Sequence, residues 1–367
     1  MDVLEPYNVL YHGMDNTGQT NCSAIMLTLI TASASTGRSI YFPRGTYLFT
    51  SSVTIINNTR GLTIYGEGKE TVIIGDLSSN SSMWWFQDAS GITVGNIYFD
   101  WDRRNGSLLA RALSFSNPSD CQTNKCWFYD MQSPVFMYVD NSNLPDTNQI
   151  YRYNHIRDCF FDSNGNDGNG YLMVSLSYSS ITGCTAINLR NDGGVNFALQ
   201  LKNECYQCIL SDCIVDTAYR AVVFGNGQIN ALGCQQCVVS NISIQNCFQG
   251  ITLFATVNCI VKNCVIDMEG INQSQMAAIS FLFNSINHPC RDNSVTGITI
   301  KNFLITTEAI IRLNQYSNDN LVVVDMLDDS TASLLLATFG FNTAKNKVIF
   351  REKTGGFATA TISNSEL

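Results

Sequence analysis

Between residues 154 and 301 the chain alternates short β-branched and aromatic runs with breaks rich in Asn, Gly and Asp, and no helical period runs through it. Five segments superpose. They are Asn154-His-Ile-Arg-Asp-Cys159-Phe-Phe-Asp162, Ser179-Ser-Ile-Thr-Gly-Cys184-Thr-Ala-Ile187, Cys208-Ile-Leu-Ser-Asp-Cys213-Ile-Val-Asp216, Cys237-Val-Val-Ser-Asn-Ile242-Ser-Ile-Gln245 and Cys259-Ile-Val-Lys-Asn-Cys264-Val-Ile-Asp267. The sixth position is Cys or Ile in all five, and successive copies lie 22–29 residues apart. Weaker copies occur at 92–100 and 294–301. A polar turn, a small residue and a second short strand follow each copy, as in Gly250-Ile-Thr-Leu-Phe. A repeat of this length and content is one coil of an all-β, right-handed parallel β-helix, a solenoid whose coils bury their inner faces only by stacking. Stacking predicts an internal ladder of Cys and Ile about 4.8 Å apart. It also places Asn in left-handed turns.

The first 50 residues read differently. Residues 21–34 form the best helix in the chain, with Asn21 or Ser23 as N-cap, and cover the open end of the solenoid. Residues 37–49 predict two strands broken at Pro43-Arg-Gly45. The β-helix then extends over 51–320, with an excursion at about 102–149 that interrupts the coil count. Residues 321–367 are expected to form a C-terminal cap or an oligomerisation segment.

Composition narrows the function. The chain has 367 residues, 45% of them hydrophobic, which excludes wholesale disorder. Its net charge is −9 without any run of Lys or Arg, which argues against nucleic acid as a partner. No apolar stretch reaches the ~18 residues that would span a bilayer. Residues 1–13 lack a secretory pattern, so the 14 Cys are expected to be reduced core thiols. The pairs Cys205/Cys208 and Cys234/Cys237 superficially resemble a zinc site, but their separation exceeds the usual ~12–20 residues, and the coil repeat already accounts for them. His12, His155 and His288 are too scattered for a His-based metal site or a Ser-His-Asp triad.

Gly13-Met-Asp-Asn-Thr-Gly, the helix, and Ile40-Tyr-Phe-Pro-Arg-Gly-Thr-Tyr-Leu together resemble the opening of the pectate-lyase-like β-helix family, as found in bacteriophage tailspike depolymerases. Of the acidic residues usual in its first turn, only Asp15 is present. The resemblance implies a virion tailspike, a homotrimer held by other tail proteins, that binds bacterial surface polysaccharide at the host cell surface and cleaves it. A non-catalytic receptor-binding or structural spike, and a cellular polysaccharide lyase or hydrolase, are the alternatives.

Glycoside cleavage calls for paired carboxyl groups. Asp167 and Asp192 precede the second strand of their coils, and Asp216 begins the equivalent turn one coil on, near Tyr219 and Arg220. These residues are expected to face one groove, with the acids catalytic and Arg220 and Tyr219 contacting substrate. The turn chemistry of Asp-Gly accounts for the first two equally well. Glu204 is a second catalytic candidate. Asp267 with Glu269, and Asp100 with Asp102 and Arg103, are weaker ones. Trp84, Trp85 and Trp101 are candidate sugar platforms, with only one of the adjacent Trp84 and Trp85 free of the core. No cofactor is required, although the same acids beside Arg220 also suit an oxygen-ligated Ca²⁺.

Overall fold

The computed structural model describes residues 4–55, 61–77, 81–101, 111–139, 151–165, 168–189, 196–225, 233–268, 277–282, 289–302, 310–313, 316–326, 337–339, 345–351 and 357–361. The fold is the all-β parallel solenoid expected from the repeat. Two compact units divide it: Met1–Leu172 with Leu176–Ala186, and Met173–Ser175 with Ile187–Leu367.

The first unit opens with the helix Ser23–Thr36, which buries Met26, Leu29, Ile30 and Ser33 along one face. Its N-cap is Cys22, one residue from either candidate. The Asn21 side chain instead accepts hydrogen bonds from the Ser23 N–H (3.0 Å) and the Ser23 hydroxyl (2.7 Å). The strands Ile40–Tyr41 and Gly45–Phe49 flank Pro43-Arg-Gly45 as predicted. The Asp15 carboxylate ties down the preceding segment by accepting from the Thr17, Gln19 and Thr20 N–H groups (2.8–3.0 Å) and the Thr17 hydroxyl (2.7 Å).

Two columns of parallel strands then stack. In one, Val53–Ile55, Ser82–Gln87, Arg111–Ser116 and Ser133–Tyr138 lie in register. In the other, Thr63–Gly75 pairs with Thr93–Trp101, which pairs with Trp127–Tyr129 and then Phe160–Asp162. The expected excursion is therefore mostly an ordinary coil, because its described strands sit in register between neighbours on both sides. Cys121-Gln-Thr-Asn-Lys-Cys126 is a further copy of the Cys208-to-Cys213 spacing. Residues 102–110 and 140–149 lie outside the described residues. The core is aromatic: Trp84 sits 5.1 Å from Phe99 and 5.8–5.9 Å from Phe49 and Phe42, and Phe99 stacks on Phe128 at 5.3 Å.

In the second unit Ile214–Phe224, Ser243–Phe254, Ile260–Asp267, Ser294–Lys301, Leu321–Met326 and Lys347–Arg351 stack in parallel register. Leu321–Met326 and Lys347–Arg351 thus stack as further rungs, and Phe357–Thr361 pairs antiparallel with the second of them.

One device recurs at the corners of both units. A residue with left-handed φ is followed by a buried small side chain, as in Asp158-Cys159, Asp212-Cys213 and Asn263-Cys264. The thiol donates to the carbonyl two residues back, at 3.2 Å for Cys159, 3.1 Å for Cys213 and 3.4 Å for Cys264. All 14 Cys are buried thiols outside any disulfide. The left-handed corner brings a backbone carbonyl over the side-chain position, and a thiol fits as a small apolar body with a weak donor. Asn extends this chemistry in the column Asn293, Asn320 and Asn346. There each Oδ1 accepts the backbone N–H of the preceding coil at 3.0–3.1 Å.

Candidate functional site

Of the candidate residues, Asp167, Asp192, Asp102, Arg103 and Glu269 lie outside the described residues. Asp216 and Arg220 share the strand Ile214–Phe224 but are separated by the left-handed Thr217. Asp216 Oδ1 accepts from the Thr217 hydroxyl (3.1 Å) and from Asn246 Nδ2 (2.8 Å). The same Asp-to-Asn link between coils recurs at Asp212–Asn241 and Asp267–Asn302. A carboxylate in this position stitches turns together. Arg220 donates from Nε to Gln249 Oε1 at 2.9 Å, and its guanidinium lies 5.6 Å from the Tyr219 ring and 5.8 Å from Phe254. Tyr219 in turn stacks on Phe248 at 4.9 Å. Glu204 is exposed on the corner beside Asn203. Trp84 and Trp101 are 0% and 3% exposed, so neither offers a ring face to a ligand, whereas Trp85 is only half-buried.

The first unit carries a more concentrated surface. Alternation along a strand sends Phe99, Phe128 and Phe161 inward and leaves residues on either side of each facing out. Register stacks Tyr98, Trp127 and Phe160 into one outward column and Asp100, Tyr129 and Asp162 into the next. All six are half-buried. The strand Thr63–Gly75 shifts register on either side of Gly68, and this irregular stretch carries Glu67, Lys69 and Glu70. From this stretch the Lys69 ammonium reaches to 5.6 Å from the Trp127 ring centre and 6.0 Å from that of Phe160. Arg44 pairs with Glu67 (3.4 Å) and Glu70 (3.1 Å) at the same edge.

The two carboxylates flank Tyr129, two strand spacings apart, so their Cα atoms are about 10 Å from each other. An inverting acid/base pair has its carboxyl groups ~6.5–9.5 Å apart, a range that side chains set at this Cα spacing can span. Burial, and then the charges of Asp100, Tyr129 and Asp162, push the Tyr98 phenol up to about 12, so both carboxylates act on the aromatic column. Asp162 Oδ1 is fixed by the Asn164 N–H at 2.9 Å.

The sequence names Asp100 as a weaker candidate but does not single out Asp162, Trp127 or the ladder they join. The signal is the recurring triplet Tyr98-Phe-Asp, Trp127-Phe-Tyr and Phe160-Phe-Asp: two outward residues around an inward Phe, once per coil. Reading 102–149 as an excursion hid the middle copy. Among the described residues no group of three or more His, Cys, Asp or Glu is arranged to hold a metal ion, and no helix is long and apolar enough to cross a membrane.

The sequence matches the rhamnogalacturonase A/epimerase, pectate lyase-like family over residues 7–210, more than half of the chain. No curated protein matches it significantly in sequence. In structure it is similar to a DFA-IIIase from Arthrobacter chlorophenolicus A6, with TM-score 0.69, 14% identity and 99% of both chains covered. It is also similar to a hyperthermoactive exopolygalacturonase from Thermotoga maritima (TM-score 0.65, 11% identity, 98% of this chain and 95% of that one). The Dettilon tailspike protein aligns with TM-score 0.58 and 10% identity, over 92% of this chain and 68% of the other. At these identities the likeness is one of fold.

Proposed function

The chain belongs to the rhamnogalacturonase A/epimerase, pectate lyase-like family, and we propose that it binds polysaccharide on the outward face of its first unit and hydrolyses glycosidic bonds there. The observation that carries this reading is the outward column Tyr98, Trp127 and Phe160 running beside Asp100 and Asp162. Aromatic faces at successive coils give a glycan stacking surfaces along its length. In the proposed step, Asp162 takes a proton from a water that attacks the anomeric carbon. Asp100 gives its proton to the departing glycosidic oxygen, with inversion at that carbon.

We place this activity in a tailspike-type protein, a homotrimer joined to other virion tail proteins and acting on bacterial surface polysaccharide. The likeness to the Dettilon tailspike supports that placing. A second reading, a free-standing polysaccharide-degrading enzyme, is favoured by the near end-to-end match with the DFA-IIIase and the exopolygalacturonase.

The test is incubation with surface polysaccharides from candidate hosts and with plant and microbial uronans. Products are followed by size exclusion, reducing-end assay and the ultraviolet absorbance of an unsaturated uronate. Shortened chains without that absorbance are expected. Shortened chains with it would replace hydrolysis by β-elimination. Binding without shortening would leave a receptor-binding spike.

A further inference from the structure

The three histidines are scattered in sequence, but the coil repeat seats one of them against a hydroxyl. His155 opens the strand His155–Arg157, and Ser180 holds the same register position on the next coil. His155 Nδ1 lies 2.8 Å from Ser180 Oγ. Ile156 and Ile181 beside them are fully buried, so alternation turns His155 and Ser180 outward. The ring is half-buried and Ser180 is 8% exposed. Gln122 flanks His155 in register on the preceding coil. The exposed Arg157 shares the outward face, paired in register with Thr182.

The corner that leads into this pair is unusual. Corresponding corners carry Asp120, Asn258 and Asp292 at left-handed φ, residues that tolerate it. Tyr153 (φ 60°) and Tyr178 (φ 51°) take that conformation on the two coils that bear His155 and Ser180. Bulky side chains seldom do, and backbone strain of this kind gathers at functional sites. The two tyrosine rings lie 5.9 Å apart and are 44% and 43% exposed. They give the pair an open aromatic shelf two residues away.

Burial, and then the charge of Arg157, lower the His155 pKa, against a smaller opposing effect of the Asp120 carboxylate. The ring is therefore neutral at pH 7 and able to take a proton. With Nδ1 accepting from the hydroxyl, Nε2 carries the ring proton. A hydroxyl within hydrogen-bond reach of a neutral imidazole is the arrangement of an activated nucleophile.

We propose that Ser180 and His155 form a second hydrolytic site in the first unit, one that cleaves small carboxylic esters. Ser180 Oγ attacks the ester carbonyl carbon while His155 Nδ1 takes the hydroxyl proton. That proton passes to the departing alkoxide, which leaves as the alcohol with the acyl group on Ser180. A water molecule, deprotonated by His155, then attacks the acyl carbon. The carboxylic acid leaves, and the proton returns to Ser180 Oγ. Arg157 faces the carbonyl oxygen as it gains charge, and the Asp120 carboxylate favours the imidazolium. Neither Ser180 nor His155 belongs to the aromatic face around Trp127, so this activity stands or falls apart from glycan cleavage.

The test is hydrolysis of para-nitrophenyl acetate and butyrate by the full chain and by the Ser180→Ala, His155→Gln, Arg157→Gln and His12→Gln variants, with melting temperature checked for each. The parent is expected to exceed the heat-unfolded chain. Ser180→Ala and His155→Gln should each lose about 10²-fold or more, and Arg157→Gln about tenfold, while His12→Gln keeps the parental rate. On the parent, phenylmethylsulfonyl fluoride should modify Ser180, read by peptide mass, and stop hydrolysis. That reading needs no variant to fold. A parent no faster than the unfolded chain overturns the proposal. So does a parental rate in Ser180→Ala or His155→Gln, or inactivation with the label on a residue other than Ser180.

Discussion

Asp15 shows what a single exposed carboxylate does in this fold. Its four hydrogen bonds, the Thr17 hydroxyl first among them, hold its pKa far below the ordinary carboxylate value. A depressed folded-state pKa contributes stability above the unfolded value of about 3.9, and that contribution is lost as pH falls through the folded value. Asp15→Asn is therefore expected to lower the urea midpoint at pH 7, and its deficit against the parent should shrink steadily below about pH 4. An unchanged deficit at pH 3 would show that the carboxylate charge plays no part. Four of the buried thiols shift in the opposite sense. Burial pushes Cys121 and Cys247 up to about 12 and Cys264 and Cys290 up to about 11. At pH 8 a thiol reagent should label none of the 14 Cys until the chain is unfolded, and all of them afterwards. Early labelling of one or two would mark corners that open locally.

At the scale of the element, the corner column matters most. Asn320 accepts from Asn293 N (3.1 Å) and Nδ2 (2.9 Å) and donates from Nδ2 to the Cys290 carbonyl (3.0 Å) and to Asn346 Oδ1 (3.0 Å). Asn320→Leu strands several buried groups at once, and a loss of about 2–4 kcal/mol in urea denaturation is expected. Trp84→Ala, which empties the aromatic core between Phe42, Phe49 and Phe99, should cost about 3–5 kcal/mol. The coils themselves were legible in the sequence because the corner demands a residue that tolerates positive φ followed by a small buried one, which writes Asp-Cys, Asn-Cys and Asn-Ile into the chain. The column Asn293, Asn320 and Asn346 was not, since Asn serves both the exposed left-handed position and the buried one after it. Sequence alone does not say which. The N-cap was misplaced for a similar reason: Asn21 does accept hydrogen bonds at the start of the helix, but from outside the cap position.

At the scale of the whole molecule, a solenoid turns sequence period into surface. Residues 29–33 apart, such as Tyr98, Trp127 and Phe160, become neighbours, so an outward face is assembled from single residues contributed by successive coils. That is why the fold could be read from a repeat while the site could not. An outward residue is under no packing constraint, and its meaning appears only when the register is known. Asp216 illustrates the converse, a promising acid whose bonds to Thr217 and Asn246 serve the turns. In the proposed function the aromatic face binds glycan and Asp100 and Asp162 cleave it. The most direct measurement takes a polysaccharide that the parent chain shortens and compares the Asp100→Asn/Asp162→Asn variant with Trp127→Ala, reading cleavage rate and binding affinity on the same preparations. The double variant is expected to lose at least about 10²-fold in rate while binding as tightly as the parent, and Trp127→Ala to lose binding by about tenfold or more. A double variant that cleaves at the parental rate would rule out Asp100 and Asp162 as the cleaving pair.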